Sequence, residues 1–431
     1  MRRLAVLTAV LSLAVVAGPP APAAAGTPLA RQTLPAGDGW AAEGPGTTGG
    51  SAAPPANVHT VSTRAGLVAA LAAPGPRIIQ VRGTVDAHTG PGGTPLSCAD
   101  YAQDGYTLAG YLTAYDPAVW GRDREPAGPL EDARAASAAR QTAQIKLKVP
   151  GDTTIVGLGG SATLRGVNLH VDRADNVIIR NLVFEDAADC FPQWDPTDGE
   201  EGNWNSLYDN ISVTGSTHVW VDHNTFTDGD NPDSAQPRHF GRPYQVHDGQ
   251  LDVTNGADFV TASWNVFSGH DKTMLIGSTN NPAADAGRLN VTVHHNHFDD
   301  VLQRLPRVRF GKVHVYNNYY EIPDASTFVY ALGVGVESKI FSEANFYRLG
   351  RAVDPAALLH DWGGTALTSR DDVLRVGGKV RPFDAVAAYN AAHDPDLGSD
   401  AGWTPVLHTG VDPAESVRLS VSQRAGAGRL G

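Results

Sequence analysis

The chain has 431 residues and a net charge of −13, from 33 lysines and arginines against 46 aspartates and glutamates. That balance argues against nucleic acid, whose phosphates it would repel. It leaves an anionic substrate open, because a local basic cleft or a bound cation reverses the field where it matters. With 47 glycines, 29 prolines and 7% aromatic residues, the composition favours a turn-rich β architecture over helices.

Read in chain order, Met1-Arg2-Arg3 is a basic start, Leu4 to Ala17 an apolar run, and Ala23-Ala24-Ala25 a small-residue exit. This pattern predicts a secretory signal peptide over residues 1–25, since the apolar run is too short to span a bilayer. No later stretch is long enough either, so a secreted, extracellular protein with no membrane partner is expected. Residues 26–57 are rich in Gly, Pro and Ala without apolar periodicity and predict a flexible leader, or a strap over a surface. One folded domain is expected over 58–431. Ser62 is a candidate cap for a short helix with Leu67, Val68 and Leu71 on one stripe. Arg77 to Val85 alternates like a strand, and Gly128 to Arg140 reads as a second helix. Cys98 and Cys190 predict one disulfide in an exported protein, two unpaired thiols being the alternative.

From Thr153 the chain repeats. Short β-branched segments carry an asparagine near an aromatic: NVIIRNLVF, HVWVDHNTF, FVTASWNVF, NVTVHHNHF, KVHVYNNYY and KIFSEANFY. The aligned asparagines are Asn181, Asn224, Asn265, Asn296, Asn317 and Asn345. Their spacings of 43, 41, 31, 21 and 28 fit a coil of about 21 residues, counted once or twice, with loops inserted in some turns. A unit of that size buries its apolar face only by stacking on its neighbours. β-branched strands and amides able to ladder at a corner predict an all-β, parallel β-helix, with the helix near residue 62 capping its N-terminal end. A sandwich would repeat every 8–12 residues without that punctuation.

Three segments concentrate charge. Asp209, with Asp248 and Asp252 in HDGQLDV, could gather at a hard cation such as calcium. A straight strand would hold Asp248 and Asp252 about 13 Å apart, so a bend at Gly249 is required. Solvated surface aspartates are the alternative. His270-Asp271-Lys272 is the second segment. In the third, Arg304, Arg307 and Arg309 surround Pro306, either an anion site or a basic edge strand. Asp222-His223 reads as a hydrogen-bonded corner. The three histidines of HHNH (294–297) do not suit zinc, because alternation splits the adjacent pair across two faces.

Taken together, WVDHNTF, DGQLDV, HDKTMLIGS and QRLPRVRFGKVHVYNNYY resemble the pectate lyases of the superfamily that includes pectin lyases. FPQWDPTDG, GWTPVLH and AGAGRL extend the resemblance over nearly all of residues 58–431. It implies a right-handed parallel β-helix and calcium-dependent β-elimination of de-esterified pectin, or polygalacturonate. It further implies that Asp209, Asp248 and Asp252 ligate Ca2+, that Arg304 is the catalytic base, and that Lys272 and Arg309 bind the galacturonate carboxylate. Asp198 lies in a matching loop that could help to hold further calcium. Arginine is an awkward base, because its pKa lies above 12, and Lys272 is the chemically easier one. The alternatives are a pectin lyase on methylated polymer, which lacks the calcium carboxylates, a polygalacturonase, and a non-catalytic carbohydrate-binding solenoid. A polygalacturonase would need a carboxylate pair about the scissile bond. No separate binding module is visible, so a monomer is expected.

Overall fold

The computed structural model describes residues 27–430; the expected signal peptide lies outside them. The chain winds as a right-handed parallel β-helix whose coils contribute one strand to each of three sheets. The first sheet has 10 strands, from Val58–Val61 to Leu367–Arg370. The second also has 10, from Thr84–Asp86 to an antiparallel last strand, Lys379–Phe383. The third has 8, from Lys146–Lys148 to Leu359–Trp362. Each coil runs from first to second to third sheet before starting again. The expected strand 77–85 is two strands of different sheets, Arg77–Val81 and Thr84–Asp86, divided where Gly83 turns at φ 65°.

The repeat is held together inside the coils. Phe184, Phe226, Phe267, Phe298, Tyr320 and Tyr347 stack in one file with centroids 4.6 to 5.1 Å apart. Burying each ring contributes about 1.5–3 kcal/mol, and strand pairing at about 4.8 Å sets the stacking distance. At the corner between first and second sheets, buried amides form a ladder. The backbone N–H of Leu182 donates to Asn224 Oδ1, Asn224 to Asn265, Asn265 to Asn296, Asn296 to Asn318 and Asn318 to Asn345, each at 2.9–3.0 Å. Two of the asparagines expected in this ladder stand elsewhere. Asn181 and Asn317 occupy the preceding position, where the corner requires positive φ (56° and 52°), as it does at His223, Trp264 and His295. Asparagine tolerates that region better than most residues, so both adjacent positions attract it.

Asp372 ends the ladder, accepting from the Asn345 N–H (2.8 Å) and from Ser369 Oγ (2.8 Å). Burial, against those hydrogen bonds, pushes its carboxyl up to about 7. A folded pKa above the ordinary aspartate value means that ionisation destabilises the fold. Stability from this group therefore rises by about 1.4 kcal/mol for each pH step of one as the pH falls from 7 toward 4. Asp372→Asn should raise the Tm at pH 8 and shrink the gain on moving to pH 5. Thermal melts at both pH values check this, and an unchanged difference would refute it.

The ends are covered. Arg64–Leu71 is the expected capping helix, but Thr63 caps it, accepting from the Gly66 N–H at 3.1 Å. Leu67, Ala70 and Leu71 face the core, while Val68 is 38% exposed. The second expected helix runs longer, over Pro129–Ile145. Residues 27–57 form a strap across the outside of the first sheet rather than a free leader. Its N–H groups donate to side chains of the sheet: Trp40 to Thr292 Oγ1, Ala41 to Thr261 Oγ1, Gly49 to Asn176 Oδ1 and Gly50 to Thr154 Oγ1. Leu34 and Ala41 pack on Ile178 and Trp220. At the other end, the helix Ala385–Asn390 buries Ala385, Val386 and Tyr389 in the core, and the helix Ala414–Arg424 lies along the outside of the second sheet on Tyr319, Phe346 and Val373. The tail beyond it returns along the corner, with Gly426 N–H donating to the Trp264 carbonyl and Gly428 N–H to Asn181 Oδ1. Among the described residues no helix is long and apolar enough to cross a membrane.

Candidate active site

The longest insertions fall where the chain passes from second to third sheet, over 87–145, 186–210 and 228–250. They build a wall packed around Tyr111, Phe191, Trp194, Trp204 and Tyr244. The expected disulfide joins Cys98 to Cys190 within it, tying the first insertion to the second. The candidate residues stand at the foot of this wall, on the third sheet and the turns leading into it.

Asp209 precedes the strand Ile211–Thr214, and Asp252 lies on Leu251–Thr254 beside it. The bend required between Asp248 and Asp252 is a bulge. The N–H groups of Gln250 and Leu251 both donate to the Thr273 carbonyl (2.9 and 3.1 Å), so one extra residue is accommodated. Gly249 sits at its edge, where an added Cβ would stand 2.5 Å from Asp252 Oδ1 and 2.8 Å from Asp209 Oδ1. Both carboxylates therefore converge on the space that glycine leaves. Asp209 also accepts from Ser212 Oγ (2.5 Å) and the Gly249 N–H (2.9 Å), and Asp252 from the Leu275 N–H (2.9 Å). Burial and then the Asp248 charge push Asp209 up to about 6. Burial, Asp209 and Asp248 hold Asp252 well above the carboxylate range, against Arg304. Asp248 stands near enough for its charge to act on both, and its Oδ1 lies 3.6 Å from Lys272 Nζ. The structure thus brings Asp209 and Asp252 to one point, with Asp248 beside them and paired with Lys272.

Lys272 is fixed by parallel bridges to Gly249 on one side and Gln303 on the other. Arg304 follows Gln303 in a left-handed conformation (φ 61°), and its Nε is buried without a hydrogen-bond partner. Burial opposes its charge, but Asp248 and Asp252 outweigh that and raise its pKa. Arg309 donates Nε–H to Asn280 Oδ1 (2.8 Å) and Nη1–H to the Gly277 carbonyl (2.7 Å). Burial and Arg304 lower it. Among the described residues, none of Arg304, Arg307 and Arg309 has a carboxylate within 4.0 Å. Arginines without a carboxylate in contact, beside two carboxylates without a cation in contact, could take up an anion and a metal together.

Beneath this face lies a network that sequence reasoning missed. His247 hydrogen-bonds Asp186 (3.0 Å) and Asp233 (3.1 Å) and stands 3.7 Å from Asp228. Burial works against its charge, but these acids push it up to about 10. His270 links Asp228 (2.8 Å) to the Asp248 carbonyl (2.7 Å), so the network holds the backbone that carries Asp248. Asp198 lies exposed on the loop of the hairpin 193–205, accepting from Asn203 Nδ2 at 3.2 Å. Asp222-His223 is the expected buried corner, held by Arg180 (2.7 Å) and Ser263 Oγ (2.7 Å). Of the three histidines, His297 alone joins a group of metal-ligand side chains, with Asp299 and Glu321. Glu321 is already taken by Tyr319 and Arg348.

A family model described as pectate lyase matches residues 128–363. A pectate lyase of Bacillus subtilis (strain 168) is 46% identical over 408 residues, 93% of this chain and 94% of that protein. Pectate lyase E of Dickeya chrysanthemi is 32% identical over 383 residues, 87% of this chain and 78% of that protein. Among solved structures, a thermostable pectate lyase superposes with a TM-score of 0.92 at 43% identity, covering 94% of this chain and all of that one. A pectate lyase bound to a hexasaccharide gives 0.89 at 45% identity over the same shares. Fold and likeness agree over nearly the whole described chain, and the chain belongs to the pectate lyase family and is an enzyme of that family.

Proposed function

We propose that the enzyme cleaves de-esterified pectin (polygalacturonate) by calcium-dependent β-elimination, releasing 4,5-unsaturated oligogalacturonides, with Arg304 as the base. The observation that carries this reading is the convergence of the buried Asp209 and Asp252 carboxylates beside Gly249, near arginines that lack counter-ions. Oxygen-only donors gathered at one point suit a hard cation. Asp209, Asp248 and Asp252 would hold calcium, which when bound supplies positive charge against the substrate carboxylate.

The remaining work falls to the chain's own side chains. Arg309, with two of its N–H groups already held, turns the rest of its fork to a galacturonate carboxylate. Lys272 stabilises the charge that grows on that carboxylate as the C5 proton leaves. Arg304 accepts the proton, the C5–H electron pair becomes the C4=C5 bond, and the C4–O bond breaks as its oxygen takes a proton from solvent. Arg304 must be neutral to act. Asp248 and Asp252 oppose that state while their charges are uncompensated, whereas burial and Arg309 favour it. With the export signal expected over residues 1–25, the enzyme would act outside the cell as a monomer, which culture fractionation and size-exclusion chromatography check.

Absorbance of unsaturated product on polygalacturonate tests the reading. Activity should vanish with EGTA and return with calcium. Turnover that survives thorough chelation would remove the metal from the reaction. Preference for highly methyl-esterified pectin would remove the pectate reading in favour of a pectin lyase.

A further inference from the structure

Lys272 and Arg304 have little regular strand to fix their spacing. The third-sheet strands that follow them, Leu275–Ile276 and Arg307–Val308, are two residues long each. Pro306, between Arg304 and the second of these, has no N–H to give. Ahead of the strands the two coils meet through backbone bonds. Leu302 N–H donates to the His270 carbonyl (2.9 Å), Gln303 N–H to the Asp271 carbonyl (3.0 Å) and Thr273 N–H to the Gln303 carbonyl (3.1 Å).

To these the Asp271 side chain adds a clasp. Its Oδ1 accepts from Gln303 Nε2 at 2.9 Å and its Oδ2 from Gln245 Nε2 at 2.5 Å. Asp271 immediately precedes Lys272, Gln303 immediately precedes Arg304, and Gln245 lies in the insertion 228–250 that carries Asp248. One carboxylate, an acceptor at both oxygens, thus joins three successive coils of the third sheet. Among the described residues no lysine, arginine or histidine nitrogen lies within 4.0 Å of Asp271, and Lys272 is paired with Asp248 instead. Asp271 is therefore not the counter-ion of its neighbour.

We propose that Asp271 is a positioning residue for the elimination, its two amide bonds setting Arg304 and Lys272 at the spacing that the C5 proton and the adjoining carboxylate require. The proposal rests on polygalacturonate as the substrate and on Arg304 and Lys272 as the acting pair. Asp271 itself takes up no proton and touches no sugar. Loss of its negative charge would by itself ease the neutral state of Arg304, so a fall in turnover on removing it reports position.

Losing the clasp should cost turnover rather than binding. The two converging aspartates are held by Ser212, Gly249 and Leu275, and Arg309 by Asn280 and Gly277, none of them through Asp271. Asp271→Ala should lower kcat on polygalacturonate by about 10–100-fold, the cost of a reacting group displaced by about 1 Å. KM and the half-saturating calcium concentration should stay within about twofold of native. Asp271→Asn should restore kcat to within about threefold, because its amide accepts from one glutamine and donates to the other once that side chain turns round. Gln303→Leu, which removes one donor, should reproduce the fall, and it decides the matter if Asp271→Ala does not fold. Native kcat in the deciding variant, an equal loss in Asp271→Asn, or KM and calcium requirement moving together with kcat would each overturn the positioning role. A native protein that releases no unsaturated product would instead strike down the substrate reading. A crystal structure of Asp271→Ala then decides the proposal, an unchanged spacing of Arg304 and Lys272 overturning it.

Discussion

Arg304→Lys should lower kcat by about 10²–10⁴, the usual contribution of a positioned general base, with little change in substrate affinity. The residue is held by its backbone. Its carbonyl accepts from the Met274 N–H (2.8 Å), the next N–H donates to the Ala331 carbonyl (2.7 Å), and φ lies at 61°. Lysine keeps the positive charge but has neither the planar fork nor its reach. Native rates should climb into alkaline pH, because the deprotonated fraction of a high-pKa base grows there. Lys272→Ala should slow turnover by about 100–1,000-fold through lost charge stabilisation and keep the alkaline limb. pH–rate profiles of the three enzymes at saturating calcium separate the roles. Near-native kcat in Arg304→Lys, with the limb erased in Lys272→Ala, would make Lys272 the base.

Gly249→Ala should raise the calcium concentration needed for half-maximal activity by about 10–100-fold, the scale seen when a metal's surroundings are disturbed. Gly249 does not use the left-handed backbone region, so alanine brings no conformational strain there. What it brings is a methyl group 2.5 Å from Asp252 Oδ1 and 2.8 Å from Asp209 Oδ1, too close for either oxygen to stay. Calcium titration of lyase activity, with thermal melts in EGTA to confirm the fold, checks the outcome. An unchanged calcium requirement would show that the two aspartates do not meet at a metal.

The solenoid was legible because its coils repeat a chemical rhythm: β-branched strand, corner amide, aromatic two residues on. Where the rhythm slipped, at Asn181 and Asn317, two adjacent corner positions both favour asparagine for different reasons, one for its amide and one for its backbone. Phe184 marks the slip, standing three residues after Asn181 and two after Leu182. The convergence of Asp209 and Asp252 could be anticipated from a glycine beside clustered acids. The pairing of Asp248 with Lys272 could not, because it depends on a bridge between strands of different coils. The His247 and His270 network was hidden for the same reason, its acids arriving from two separate insertions, Asp186 from one and Asp228 and Asp233 from the other. Val68 and Ser62 mark a shift of one residue in the capping helix, which Thr63 begins. The strap over 27–57 lacks periodicity because its hold on the sheet is made largely by backbone N–H groups, which composition does not reveal.

That strap and the returning tail change how the molecule can come apart. A stack of coils in which each touches only its neighbours behaves as a one-dimensional chain, free to fray from either end. Here Gly50 is fastened to Thr154 and Trp40 to Thr292, while the tail is fastened at Asn317, Trp264 and Asn181. Two cords running lengthwise on different faces bind early coils to late ones, so no coil can leave without loosening a fastening several coils away. Local fraying becomes a shared event, and the cleft, built from residues on successive coils, keeps its spacing for as long as the cords hold.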